Sequence, residues 1–320
     1  MSTSGGTKAV VAALLANAGI AVTKFIAFLV SGSSSMLAES VHSVADAGNQ
    51  GLLLLGGRKA KRAADAEHPF GYGRERYVYA FVVSIILFSV GGMFSLYEGI
   101  QKLRDPHELT NPWVPIIVLL VAIGLESFSL RTAVRESNHA RGRQSWVEFV
   151  RRAKSPELPV VLLEDVAALV GLVLALGGVG LTVITGDTMW DAIGTIAIGL
   201  LLVLVAVILG IETKSLLVGE GATPDDVQRI REVFNEHREV EALIHMKTLY
   251  LGPEELMIAA KVAFPSQTRL GEIASSINSV ETDLRRAIPH ARVIYIEPDI
   301  YVVPGEGNPS TDAIVIKASD

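Results

Sequence analysis

Six long apolar stretches fill the first two thirds of the chain, and they limit what it can fold into more than any other feature. A hydrocarbon core about 30 Å thick takes roughly 20 mostly apolar residues to cross as a helix. The chain offers such stretches at approximately Ala9 to Val30, Met36 to Gly57, Tyr77 to Leu103, Trp113 to Val134, Pro159 to Thr185 and Trp190 to Ile211. Half the residues are hydrophobic and the mean hydropathy is +0.41, too apolar for an ordinary soluble protein. The first stretch is long, carries Lys24 inside and lacks a small-residue cleavage site before the second. It is therefore taken as helix one and not as a signal peptide. These features predict an α-helical membrane protein of six transmembrane helices.

Basic residues in short loops are retained on the cytoplasmic side of a membrane. Arg58, Lys59, Lys61, Arg62, Arg74 and Arg76 lie between stretches two and three, and Arg135, Arg141, Arg143, Arg151, Arg152 and Lys154 between four and five. The links at Ser31 to Ser35 and Thr185 to Met189 carry no Lys or Arg. This alternation predicts both termini in the cytoplasm and, with no targeting peptide in view, a bacterial inner membrane. Ser145 to Lys154 reads as a short amphipathic interfacial helix with Trp146, Phe149 and Val150 on its apolar side.

After Lys214 the hydropathy falls, and the residues to Pro304 read as a small cytoplasmic α+β domain. Thr223 is placed to cap a helix, with Pro224, Asp225 and Asp226 in its first turn. Alternation in Ala242 to Leu251 and Leu256 to Phe264, around Gly252-Pro253, predicts a hairpin. Leu270 to Ile288 has helical spacing, and Val293 to Val303 follows as a third strand. The expected divisions are a membrane domain over 1–214, an α+β dimerisation domain over 215–304 with two helices on a three-stranded sheet, and a flexible end over 305–320.

An ionisable residue inside a span is costly and is read first as a functional candidate. His42 and Asp46 are four apart in stretch two, on one helix face, so an imidazole and a carboxylate converge there. Stretch two also carries Glu39 and Asn49, stretch four Glu126, and stretch five Glu164 with Asp165. His42 and Asp46 alone would also serve as a hydrogen-bonded packing pair; a second acidic span at comparable depth points instead to a shared cation cavity. Glu164 and Asp165 point about 100° apart, so both cannot aim at one ion. Glu126 is either a partner for a basic group or part of a proton relay, with Asn49 as an accessory polar group. In stretch five, Gly171, Gly177, Gly178 and Gly180 permit close helix approach.

The chain contains no cysteine, which excludes disulfides and thiolate metal sites. A formal net charge of -6 excludes a strongly basic nucleic-acid binder. There is no nucleophile with its base, phosphate-cradling loop or cofactor motif, so the chain is not expected to be an enzyme or to hold a tightly bound cofactor. The loop from Asp65 to Arg74 reads by itself as a turn shaped by Pro69, Gly71 and Gly73, and His237, His245 and His290 have no ligand-like spacing.

The run Ser35-Met36-Leu37-Ala38-Glu39-Ser40-Val41-His42-Ser43-Val44-Ala45-Asp46, the loop His68-Pro69-Phe70-Gly71-Tyr72-Gly73-Arg74, and six spans followed by a tail together resemble the cation diffusion facilitator family of divalent-metal transporters. Leu163-Glu164-Asp165 and Leu125-Glu126-Ser127-Phe128-Ser129 look most like its branch that includes animal zinc transporter 9. The resemblance implies a homodimer with a tetrahedral transport site on spans two and five. His42, Asp46 and Asp165 match that site, while the fourth position is Val161, which cannot coordinate. Glu164, Glu126 or a water must then complete the shell, giving a candidate metal set of His42, Asp46, Asp165 and Glu164. The family's loop site keeps Asp65 and His68 here but has Tyr72 in place of a second histidine, which implies a weakened site. In the tail, Tyr295, Glu297 and Lys261 replace the expected metal ligands, which implies a sheet that dimerises without a metal pair.

The expected activity is exchange of a divalent cation for protons by alternating access, carrying zinc, or alternatively manganese, iron or cobalt, out of the cytoplasm. Imidazole titrates at about 6.5 and must be neutral to bind metal, which makes His42 suited to exchanging a proton for a cation. The competing readings are a non-transporting scaffold or metal sensor, and a channel.

Overall fold

The computed structural model describes residues 3–106, 111 and 113–301. The chain divides into two compact units, Met1–Leu217 and Val218–Asp320. The expected flexible end over 305–320 lies outside the described residues.

The first unit is helical. Helix α1 (Thr3–Ser31) turns at Gly32, whose φ of +67° is open to glycine, into α2 (Ser34–Lys59), capped by the Ser33 hydroxyl accepting from the Met36 N–H. Helix α3 (Glu75–Arg104) contains a π-helical segment at Leu87–Met93. Helix α4 spans Trp113–Arg141, α5 Trp146–Arg152, α6 Glu157–Thr185 and α7 Met189–Val218. Helix α4 runs past the apolar stretch to Arg141, because a helix carries its backbone hydrogen bonds into the aqueous layer wherever the sequence permits. Residues Arg135 and Arg141 therefore lie on its last turns and not in a loop.

Among the described residues, four helices, α3, α4, α6 and α7, are long and apolar enough to cross a membrane. Helices α1 and α2 form the rest of the bundle, and α2 is the more polar because one face carries Glu39, His42, Ser43, Asp46, Asn49 and Gln50. Apolar residues such as Leu87, Leu119, Leu172, Ile198 and Leu202 fill the core. Small residues set the closest approaches. A Cβ on Gly99 of α3 would lie 3.0 Å from the Ile196 backbone N and 3.1 Å from the Ala192 carbonyl of α7, and one on Gly178 of α6 would lie 2.9 Å from the Trp190 carbonyl. Gly177 and Gly180, read from sequence as part of the same small-residue set, face open space.

The second unit is α+β. Helix α8 (Pro224–Glu236) begins where expected, with the Thr223 hydroxyl accepting from the Asp226 N–H at 3.2 Å. Strand β1 (Ala242–Gly252) pairs antiparallel with β2 (Glu255–Ala263), and β3 (Ala291–Asp299) lies parallel to β2 on its other side. Helix α9 (Leu270–Ala287) makes the crossover that a parallel neighbour requires. Leu256, Ile258, Ala260 and Val262 alternate inward from β2 and share one core with Ile230 and Phe234 of α8 and Val280 and Leu284 of α9. The third strand ends at Asp299, short of the expected Val303; residues 302 and 303 lie outside the described residues.

Candidate metal centre

The polar face of α2 is the spine of the site. Residues 39, 42, 46 and 49 recur at three- and four-residue intervals, so one helix face presents Glu39, His42, Asp46 and Asn49, and all four are buried. The imidazole Nε2 of His42 stands 3.3 Å from Asp46 Oδ2. Neither ring nitrogen of His42 has a hydrogen-bond partner among the described residues, and Asp46 Oδ1 and Glu164 Oε2 are likewise unpaired there.

Glu164 and Asp165 diverge as their 100° separation requires. Asn49 Nδ2 donates to Glu164 Oε1 at 2.7 Å, which turns that carboxylate toward α2. Ser129 Oγ donates to Asp165 Oδ2 at 3.0 Å, which ties the other toward α4. Glu126, one helical turn from Ser129, is also buried. The charges of Glu164, Glu126, Lys24 and Asp165 all act on Asp46, so the four helices α1, α2, α4 and α6 contribute to one electrostatic cluster.

Lys24 supplies its basic partner. Its ammonium donates to Glu39 Oε2 and to Ser43 Oγ, each at 2.9 Å, and both members of the ion pair are almost wholly buried. Sequence alone places Lys24 inside the first stretch without assigning it a partner. The signal was available: Lys24 lies eight residues before Gly32 and Glu39 seven after, so a helical hairpin turning at Gly32 brings them to one depth. Two further features had no such signal. The π segment of α3 places Gly91 against His42, where a Cβ would lie 3.8 Å from Nδ1, and Gly171 of α6 sits against Glu39, where a Cβ would lie 3.0 Å from Oε1. Widened helical turns of this kind recur at functional sites.

Among the described residues, no three His, Asp or Glu side chains are gathered closely enough to enclose a metal ion as they stand. His42 and Asp46 stand as two adjacent potential donors, and Glu164 and Asp165 are held by Asn49 and Ser129, so a metal there would need one of them released, or water, for a third. The donor set is one nitrogen with several carboxylate oxygens, which suits zinc and harder divalent ions alike.

In the loop after α2, the Tyr72 hydroxyl donates to Asp65 Oδ2 at 2.6 Å, while Asp65 Oδ1 accepts from the backbone N–H groups of His68 and Glu67. The Tyr72 bond, then the backbone bonds, hold the Asp65 carboxyl below its ordinary value, and the same contact with Asp65 raises the Tyr72 phenol. His68 lies 3.6 Å from Asp65 and is tilted against the Tyr72 ring. Tyr72 thus occupies one oxygen of the carboxylate that a metal would use.

In the second unit, Lys261 Nζ lies 3.1 Å from Glu297 Oε1 and 2.9 Å from Asp299 Oδ2 across the β2–β3 pairing. The Asp299 and Glu297 carboxylates raise the Lys261 ammonium, and Lys261 in turn lowers Asp299. His237 pairs with Asp283 at 3.2 Å and His290 with Asp226 at 3.4 Å, while His245 sits opposite Lys261 in the β1–β2 register. The three histidines stay apart.

Residues 10–218 match the cation efflux transmembrane domain. The human mitochondrial proton-coupled zinc antiporter SLC30A9 is 32% identical over 262 residues, covering 81% of this chain and 46% of the relative. Metal tolerance protein C4 of Arabidopsis thaliana is 29% identical over 262 residues, covering 81% of this chain and 57% of its own. The cation-efflux pump FieF of Escherichia coli O1:K1 is 27% identical over 307 residues, covering 95% and 96%. The chain spans about half the length of the antiporter relatives it matches.

Proposed function

From the premise that the chain belongs to the cation efflux family, whose transmembrane domain matches two thirds of it, we propose that it exchanges a divalent cation, zinc first among them, for protons across a membrane. The observation that carries this reading is the buried His42–Asp46 pair, whose imidazole nitrogens and free carboxylate oxygen have no hydrogen-bond partner among the described residues. Buried polar atoms of this kind are costly unless something else satisfies them, and a cation bound part of the time does so. The names of the human antiporter and the bacterial efflux pump support the same activity.

The site residues act in two stages in this reading. A cation arriving from the cytoplasm meets His42 and Asp46, which bind it as neutral imidazole and ionised carboxylate, so that any proton on Asp46 is released. Glu164 leaves Asn49, or Asp165 leaves Ser129, to complete the shell. Because those bonds join α6 to α2 and to α4, filling the shell changes how the helices are held, and this is the link between binding and alternating access. Glu126 and Lys24 adjust the charge of the cavity without binding the ion. In this reading α1 and α2 complete six spans, both termini lie on the cytoplasmic side of a bacterial inner membrane, a topology that the basic loops support, and two copies assemble through the C-terminal sheet domain. The chain is a carrier and not an enzyme.

The test is uptake of zinc and manganese into proteoliposomes holding the purified chain, with and without a pH gradient, beside Asp46→Ala and Asp165→Ala. Saturable uptake that needs the gradient and both aspartates is expected. Uptake indifferent to the gradient would indicate a channel, and no uptake by folded wild type would leave a scaffold.

A further inference from the structure

An apolar cavity opens at the cytoplasmic end predicted by the basic loops. It has a volume of about 620 Å³ and is walled by Val134 of α4, Trp146 and Val150 of α5, Leu163 and Val166 of α6, and Ile208 of α7. That size falls within the roughly 300 to 1,000 Å³ of small-ligand pockets. Nearly every wall atom is apolar, and the residues at its opening, Val147 and Ile211, are strongly exposed. The polar groups at its edge are Arg151 and Glu212, 3.8 Å apart, with the Arg151 side chain 72% exposed.

The segment beside this edge is mostly basic. Residues 141–154 hold Arg141, Arg143, Arg151, Arg152 and Lys154 against Glu148 alone. Arg141 lies over the Trp146 ring at 4.3 Å and Arg152 pairs with Glu148 at 2.7 Å, while Arg143 and Arg151 are exposed, the latter 3.8 Å from Glu212 of α7. Helix α5 is short and amphipathic, with Phe149 buried and its arginines outward, as expected of a helix lying in the membrane interface. An apolar slot opening beneath a basic interfacial helix is complementary to a molecule with an anionic head and a hydrocarbon tail.

We propose that this cavity is a binding site for an anionic phospholipid of the inner leaflet, with one acyl chain between α4, α5, α6 and α7 and the headgroup phosphate on Arg151 and Arg143. The inner leaflet supplies anionic headgroups at the depth where α5 lies. Leu163 and Val166 flank Glu164 and Asp165 on α6, so an occupied slot also steadies the helix that carries two of the candidate metal donors.

The test is native mass spectrometry of the delipidated full chain, titrated with dioleoyl phosphatidylglycerol or dioleoyl phosphatidylcholine. It reads lipid retention alone, so its failure leaves the transport reading untouched. Wild type is expected to retain one phosphatidylglycerol per chain at about tenfold lower lipid concentration than phosphatidylcholine. Ile208→Trp, which fills the slot, is expected to abolish that retention, and Arg143→Gln with Arg151→Gln to remove the preference while keeping the chain monodisperse. If Ile208→Trp loses monodispersity, the paired arginine variant decides. Equal retention of both lipids, retention of neither, or a preference that survives loss of both arginines would overturn the proposal, as would cross-linking of two copies through Val147 in bilayers.

Discussion

The two units of this chain treat charge in opposite ways. In the second unit, Lys261 sits between two carboxylates, and His237 and His290 each have an acidic neighbour. In the helical unit, Glu39, His42, Asp46 and Glu164 are buried yet each keeps a polar atom without a hydrogen-bond partner among the described residues. An unsatisfied buried group costs about 1–3 kcal/mol, so a cluster of them is retained only where it does something that packing does not. The C-terminal sheet has the chemistry of a finished structure. The α2–α6 face leaves buried polar atoms unsatisfied among the described residues.

That contrast is open to being broken. The largest effect is expected at Lys24: Lys24→Met leaves Glu39 buried without its counter-charge, at a cost of about 3–5 kcal/mol. Thermal unfolding of Lys24→Met beside Lys261→Met measures it, and the more solvent-exposed cluster of Lys261 with Glu297 and Asp299 should shift the midpoint far less. Asp46→Ala comes next, with zinc uptake lowered by more than about 100-fold while the chain stays folded, since a first ligand outweighs the 10- to 100-fold typical of its supporting groups. Asn49→Ala removes only the group that orients Glu164 and should reduce zinc affinity by about 10- to 100-fold. Gly99→Ala forces a methyl group against backbone atoms of α7 and is expected to cost about 1–3 kcal/mol. Gly177→Ala, which meets open space, should be neutral or slightly stabilising in the same unfolding measurement.

The smallest effect concerns the loop. Asp65 is held below the ordinary carboxylate value of 3.8, so the stabilisation its charge lends the loop is present above that value and is lost as pH falls through the lower, folded one. Tyr72→Phe removes the leading cause, and NMR titration of the Asp65 carboxyl should show its midpoint rising toward 3.8. An unmoved midpoint would mean that the backbone bonds alone hold the group.

Much of this was legible in the residues. Apolar length set the helices, four-residue spacing set the polar face of α2, and the Thr223-Pro224-Asp225-Asp226 run set the start of α8 to the residue. The divergence of Glu164 and Asp165 followed from helix geometry, but their partners did not, since Asn49 and Ser129 lie 115 and 36 residues away. The π segment around Gly91 was not legible, because its cause is tertiary: α3 widens a turn beside His42 and α7, and a pair of glycines permits that without announcing it. Of the four glycines of α6 read as permitting close helix approach, only Gly171 and Gly178 would bring a Cβ within 4 Å of a neighbour. Spacing alone does not say which side of a helix is covered.

Equilibrium binding of zinc to the full chain near neutral pH, by dialysis with metal analysis, tests the central claim most directly. One high-affinity zinc per chain is predicted, lost in His42→Ala and in Asp46→Ala and unchanged when His237, His245 and His290 are all replaced by alanine. A site that survives both span variants, or one that disappears with the tail histidines, would contradict the account.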